Sequence, residues 1–286
     1  MEHPLNVLIC FSKPQTGESL GALAAELIRG KNDHSEVTVL HLVGKEQWTL
    51  IDNADAYKSR LFENIVARCE ENDILVRTFV KPSDAFVNDI LETGKEQNCN
   101  LVLLGIGGNV LNSSLWEKFK ILKNDANNSE EFVYGQFETP VAQSLESVSS
   151  LLFRNYADTG IFVDNSFEKA DKLFVPILDK DDTDILPLLK RFMRRENASA
   201  TVWDAIGILS SPRQPEIQKY FRYLQKKFDG RIALWDNNRK IDASFIENQE
   251  LILTGIDGWN KLITTALPWK DSLPSILVIK KGHQEN

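Results

Sequence analysis

"LVLLGIGGNVLNSSLW", Leu101–Trp116, decides the fold. A run of Val and Leu stops at Gly105, and Gly107 and Gly108 follow at once, so a buried strand runs straight into a glycine-rich turn. The same succession returns half a chain later in "LILTGIDG", Leu251–Gly258, with Gly255 standing where Gly105 stands. Such a turn can hold a phosphate on backbone N–H groups. It can equally be a tight turn without a ligand, because glycine accepts φ > 0 in both cases.

The stretches around these two turns alternate between short apolar runs and amphipathic segments. "NVLICF" (Asn6–Phe11), "EVTVLHLV", "ILVRTFV", "LVLLGI" and "TGIFVD" are β-rich. Between them lie helical patterns: "TGESLGALAAELIRG" with Leu20, Leu23, Leu27 and Ile28 on one stripe and Gly30 as the stop, "ADAYKSRLFENIVARCEEN", "SDAFVNDILETGKEQN" with Ser83 as N-cap, and a segment from about Pro140 to Asn155. The pattern restarts at "DKLFVPIL" and runs through "TDILPLLKRFMRRE", "ATVWDAI", "PEIQKYFRYLQKKF", "GRIALWD", "ELILTG" and "PSILVIK". Strands continuous in Val, Ile and Leu, separated by helices, predict parallel sheets covered on both faces. Two such repeats are too long for solenoid units and are large enough to be small domains, with the boundary near "NSFEKA", Asn165–Ala170. The polar stretch Asn112–Glu138 breaks the pattern and reads as an insertion.

Composition narrows the function classes. The 286 residues are 42% hydrophobic and 26% charged, with a formal net charge of −8. An acidic balance argues against sequence-independent nucleic-acid binding, which needs a basic face. Cys10, Cys69 and Cys99 are an odd number without a CxxC and read as free thiols in a reducing compartment. The opening goes directly into a strand and no apolar run approaches a membrane span, so a cytoplasmic location is expected.

The order strand, helix, strand, helix, strand, helix, strand, G-x-x-G, helix, strand resembles the universal stress protein family in tandem. The resemblance implies an α/β fold of two flavodoxin-like (adenine nucleotide alpha hydrolase-like) domains, each a doubly wound five-stranded parallel sheet. It divides the chain into 1–166, carrying the insertion at 112–138, and a shortened 167–286. It also implies ATP or AMP bound at the switch point between strands one and four, touched by a first-strand aspartate and by a G-x-x-G loop that closes on Gly-Ser or Gly-Thr.

Carried onto this chain, the first-repeat site is Phe11, Ser12, Gly105, Gly107, Gly108 and Ser147. Phe11 or Ser12 stands at the aspartate position, and Glu146 replaces the glycine before Ser147. In the second repeat the residues are Asp179, Gly255 and Gly258, with Leu262 and Ile263 at the Gly-Ser position. A carboxylate against a phosphate is repulsive, so both sites read as degenerate, the second more than the first. The opening "LNVLICFSKP" and the closing "GIFVD" of the first repeat also resemble the cytosolic tails of bacterial monovalent cation:proton (Na+/H+) antiporters. The leading expectation is a non-catalytic regulatory module of that kind, tethered at the inner membrane by a transporter domain in cis or else a homodimer. The rival is a free-standing stress protein holding ATP or AMP in its first repeat. The two repeats are expected to pair through their last strands, as the family's dimers do.

No catalytic constellation accompanies these glycines. Cys10 lacks the following Arg of a phosphatase loop and reads as a structural thiol. "DKDDTD", Asp179–Asp184, has the acidic spacing of a calcium loop without its glycine and distal glutamate, and reads as a helix cap. The four histidines are scattered, so no metal is assigned. "KRFMRRE" reads as a solvated helix end, with docking to an acidic partner or anionic lipid as the sharper reading. Trp203 and Trp235 read as core. Trp259 and Trp269 flank the shortened second loop and are expected to fill the vacated nucleotide cavity.

Overall fold

The ten strands expected from the apolar runs all form, and they join one sheet. They are β1 Val7–Phe11, β2 Glu36–Val43, β3 Leu75–Pro82, β4 Leu101–Gly107, β5 Asp158–Asp164, β6 Lys172–Ile177, β7 Ser199–Asp204, β8 Ile232–Leu234, β9 Leu251–Gly255 and β10 Ser275–Lys280. The computed structural model describes residues 4–11, 14–28, 34–107, 151–152, 154–264, 269 and 272–282. The insertion 112–138 lies outside them, as does most of the helix expected from about Pro140. Among the described residues the helices are α1 Pro14–Ile28, α2 Lys45–Thr49, α3 Ala54–Glu70, α4 Phe86–Glu96, α5 Leu186–Phe192, α6 Pro215–Lys227, α7 Ala243–Glu247 and α8 Ile256–Thr264.

The strand order is β3-β2-β1-β4-β5-β10-β9-β6-β7-β8. Each half therefore repeats the order 3-2-1-4-5, doubly wound, with its crossovers reversing between the first and fourth strands. Within a half every pairing is parallel; between the halves β5 and β10 pair antiparallel, with Phe162 opposite Leu277 and Ile161 opposite Val278. The last strands thus meet as expected. Gly160 lies at this seam, where a Cβ would strike the Leu103 side chain and crowd those of Leu277 and Ile279.

Period-two alternation splits each strand between two cores. Val7, Ile9 and Phe11 of β1 face a layer formed by α1, α3, α5 and α6, while Leu8 and Cys10 face α4, the helical turn at Leu151–Leu152, α7 and α8. α1 is deeply buried: Leu20, Leu23 and Leu27 are inaccessible, and each contributes about 1.5–3 kcal/mol by leaving water. It packs on α3 of its own half and on α5 of the other, so the first helices of the two halves meet over the seam. Arg195, just past α5, reaches back to the buried Glu26 of α1 and lies 3.2 Å from Asp171. Arg68 of α3 donates to the Glu168 carbonyl (2.8 Å), and Lys281 pairs with Asp158 (2.9 Å).

Three local expectations change. Ser83 does not cap α4; Ala85 holds that position, and Ser83 directly follows β3, where its N–H reaches the Val43 carbonyl while its hydroxyl accepts from Ala85 and donates to Asp89. The segment after β6 opens as a 3₁₀ helix, Lys180–Ile185, before continuing as α5. Trp235 is not core: β8 ends one residue before it, and its half-buried ring lies tilted against Phe245 with the Arg239 guanidinium over it. Trp203 does pack on Phe174, face to face.

Candidate functional site: the two switch points

In the second half the switch point lies between β6 and β9, and it already holds an anion. Asp182 is completely buried. The N–H groups of Leu178 and Asp179, at the end of β6, donate to its Oδ2 at 2.8 and 2.7 Å. The N–H of Gly258 donates to Oδ1 at 2.9 Å. Gly255-x-x-Gly258 is therefore not a loop. β9 ends at Gly255 and α8 begins at Ile256, which puts Gly258 in the first turn of the helix, where an N–H has no intrahelical acceptor. Both glycines are required by the carboxylate, because a Cβ on either would collide with the Asp182 carboxylate. Three backbone donors and a helix N-terminus make an anion cradle, and the chain's own side chain fills it. Burial pushes the Asp182 carboxyl above its ordinary pKa, against the pull of these donors.

Asp182 is placed there by the 3₁₀ turn. Asp179 is its N-cap, and the side chains of Asp179 and Asp182 form a reciprocal capping box. Asp179 thus serves as the cap expected of "DKDDTD", and its outer oxygen takes the ammonium of Lys261 at 2.7 Å. Asp179, Asp181 and Asp257 lie within ligand distance of one another, with Lys261 already paired to the first. Leu262 is buried in the core, as are Trp259 and Trp269.

The described part of the first half is built differently. Phe11, one of the two residues that the resemblance sets at the aspartate position, turns its ring inward. It packs edge-on to Phe62 and lies 5.2 Å from the His41 ring, and a Cβ on Gly17 of α1 would strike it. His41 is itself buried, joined to the Phe11 carbonyl through Nδ1 (3.2 Å) and to the Tyr57 hydroxyl through Nε2 (2.9 Å). Burial lowers its pKa from 6.5, more than the Phe11 carbonyl raises it. Gly105 and Gly107 are strand residues, since β4 extends to Gly107 in register with Asp164. A Cβ on Gly105 would collide with the Thr16 methyl and crowd Leu20, so this glycine lets α1 lie directly on β4. Ser12, Gly108 and Ser147 lie outside the described residues.

The remaining chemistry agrees with a structural role for the thiols. All three cysteines are buried and free; burial pushes Cys69 and Cys99 up to about 11 and Cys10 well above the ordinary thiol value. A cavity of about 530 Å³ opens at the connection between the halves, walled by Asn165–Lys169, Glu247, Gln249, Glu250 and Ser272–Pro274. Among the described residues no helix is long and apolar enough to cross a membrane. Asp182 was the residue that sequence reading missed. Its signal was the D-x-x-D spacing of the cap, which fixes a reciprocal turn without telling where the second carboxylate points.

No protein-family model matches the chain, and no curated protein matches it in sequence. Solved structures do. The universal stress protein of Archaeoglobus fulgidus DSM 4304 aligns at 15% identity over 97% of this chain and 99% of its own, with a TM-score of 0.47. The cytoplasmic domain of a prokaryotic cation chloride cotransporter aligns at 10% identity over 97% of this chain and 96% of its own, with a TM-score of 0.54. The chain therefore has the α/β fold of that cytoplasmic domain along nearly its whole length.

Proposed function

We propose that the chain is a non-catalytic regulatory module of the universal stress protein type, acting on the cytosolic side of a membrane cation transporter, with no nucleotide held at either switch point. The observation that carries this reading is the Asp182 carboxylate seated on the N–H groups of Leu178, Asp179 and Gly258. A phosphate would have to displace a covalently attached competitor and would meet its negative charge. In the first half the Phe11 side chain, one of the two residues at the aspartate position, is buried and offers a nucleotide no acceptor. The likeness to the cotransporter's cytoplasmic domain supports the transporter association, and the resemblance of "LNVLICFSKP" and "GIFVD" makes a monovalent cation:proton antiporter our choice of class. Such a module works by a partner or ligand favouring one arrangement of its surfaces over another, which shifts the transporter's own equilibrium by the difference in affinity.

Calorimetric titration with ATP, AMP and cyclic AMP tests the closed sites: no binding heat is expected. Micromolar binding that disappears in Gly108→Val would establish the rival, a nucleotide site in the first half built on Phe11, Ser12, Gly105, Gly107, Gly108 and Ser147. The transporter association is tested separately by whether the reading frame continues upstream into apolar spans.

A further inference from the structure

Although the chain carries a net charge of −8, one helix face is strongly basic. α6 buries Phe221 and Leu224 and turns Lys219, Arg222, Tyr223, Lys226 and Lys227 to solvent, at spacings that place them along one outward stripe. That is four cations, against Glu216 as the one carboxylate of the helix. None of the four makes an ion pair among the described residues. Tyr223 stands in the middle with 47% of its surface exposed, stacked on Tyr220 and flanked by the ammonium groups of Lys190 (5.7 Å) and Lys227 (5.9 Å). Lys190 comes from α5, so the basic surface extends over two helices. The nearby Arg231 is used internally, donating to the carbonyls of Arg195, Ala198 and Met193, which fixes the end of α5 beneath the stripe.

We infer that this α6 face docks on an anionic lipid bilayer. The inference rests on the reading of the chain as a transporter-side module, which needs a face toward the membrane. Three features favour a bilayer over other polyanions. The stripe is the outward side of a helix whose apolar side is committed to the core, which leaves it open to an extended surface. Its cations are spread along the length of the helix, from Lys219 to Lys227. At its centre is a tyrosine, whose amphipathic ring suits the headgroup layer. Binding is electrostatic and peripheral, of the kind polybasic segments show.

The test is co-sedimentation of the chain with vesicles of equimolar phosphatidylglycerol and phosphatidylcholine, and with phosphatidylcholine alone. Binding is expected only to the anionic vesicles and should be lost at high salt. Replacing a cation weakens such binding about fivefold, so Lys219→Glu with Lys226→Glu is expected to weaken it by at least about 25-fold. Lys95→Glu, exposed on α4 across the sheet, is expected to leave it unchanged, and circular dichroism confirms folding of each variant. Equal binding to both vesicle types, or equal loss in the α6 and α4 variants, overturns the inference. So does tighter binding to polyglutamate or duplex DNA than to the vesicles. None of these results bears on the upstream reading frame, so the docking face can fail while the transporter reading stands.

Discussion

Replacing Asp182 by alanine should show how much the filled cradle matters. The substitution leaves the N–H groups of Leu178, Asp179 and Gly258 without their acceptor. At about 1 kcal/mol for each buried donor, three amount to about 3 kcal/mol, reduced where water enters the space and where a desolvated charge is relieved. A net loss of about 2–3 kcal/mol in urea denaturation is expected, with unchanged m. Gly258→Ala supplies the sharper sign. In a first helical turn alanine should be better than glycine by up to about 1 kcal/mol. With Asp182 present the new Cβ meets the carboxylate, and overpacking of that kind costs about 1–3 kcal/mol. Gly258→Ala should therefore destabilise the natural chain and stabilise the Asp182→Ala variant, a coupling of about 2 kcal/mol in a double-mutant cycle. If Gly258→Ala stabilises both backgrounds, the carboxylate does not sit on the glycine and the closed-cradle argument fails.

Three further outcomes follow from packing and charge. Gly105→Ala should cost about 1–3 kcal/mol, and adding Thr16→Ser, which removes the methyl it strikes, should recover at least half of that in the same urea titration. Arg195→Ala should cost about 3 kcal/mol, because it strands the buried Glu26, and Glu26→Gln in the same chain should recover part of the loss. His41 has a folded pKa below its ordinary 6.5, so the unfolded chain takes up the proton first; its contribution is present above 6.5 and is lost as pH falls through the folded value. Denaturant midpoints measured between neutral and mildly acid pH should therefore fall in the natural chain, with at most about 1.4 kcal/mol per pH unit from this one group. They should fall less in His41→Gln, and parallel profiles would refute the assignment.

The strands were legible because each is a short apolar run with a turn signal at its end, and burial on both faces, at all but the edge strands β3 and β8, leaves such runs few alternatives. α6 was equally plain, with Ile217, Phe221, Leu224 and Phe228 on one side. α8 was not: "IDGWNKLIT" begins with the glycine-rich motif itself, and a glycine at the third helical position reads as a loop until its partner is seen. The site was half legible. Gly105, Gly255 and Gly258 stood out by type, and the resemblance alone marked Phe11 or Ser12 as the place where an aspartate would stand. What the glycines pack against could not be read. Thr16 approaches Gly105 from a helix 89 positions earlier in the chain (105 − 16), and Asp182 approaches Gly258 from 76 positions away (258 − 182). A glycine kept for a ligand and one kept for a neighbouring side chain look the same in one dimension.

The antiparallel join of β5 to β10 has a directional consequence. Strands β1 and β4 end on one rim of the sheet, while β6 and β9 end on the opposite rim. The two switch points therefore look in opposite directions, back to back like the faces of a coin, and no single small molecule can span them. A partner docked at one rim leaves the other open to a separate environment. The linkage between Asn165 and Ala170 also makes permanent an edge contact that two separate chains would have to find by collision, so this seam persists at any dilution. Each half can then change at its own switch point without disturbing the other, and Asp182 and Phe11 fill corresponding regions in unlike ways.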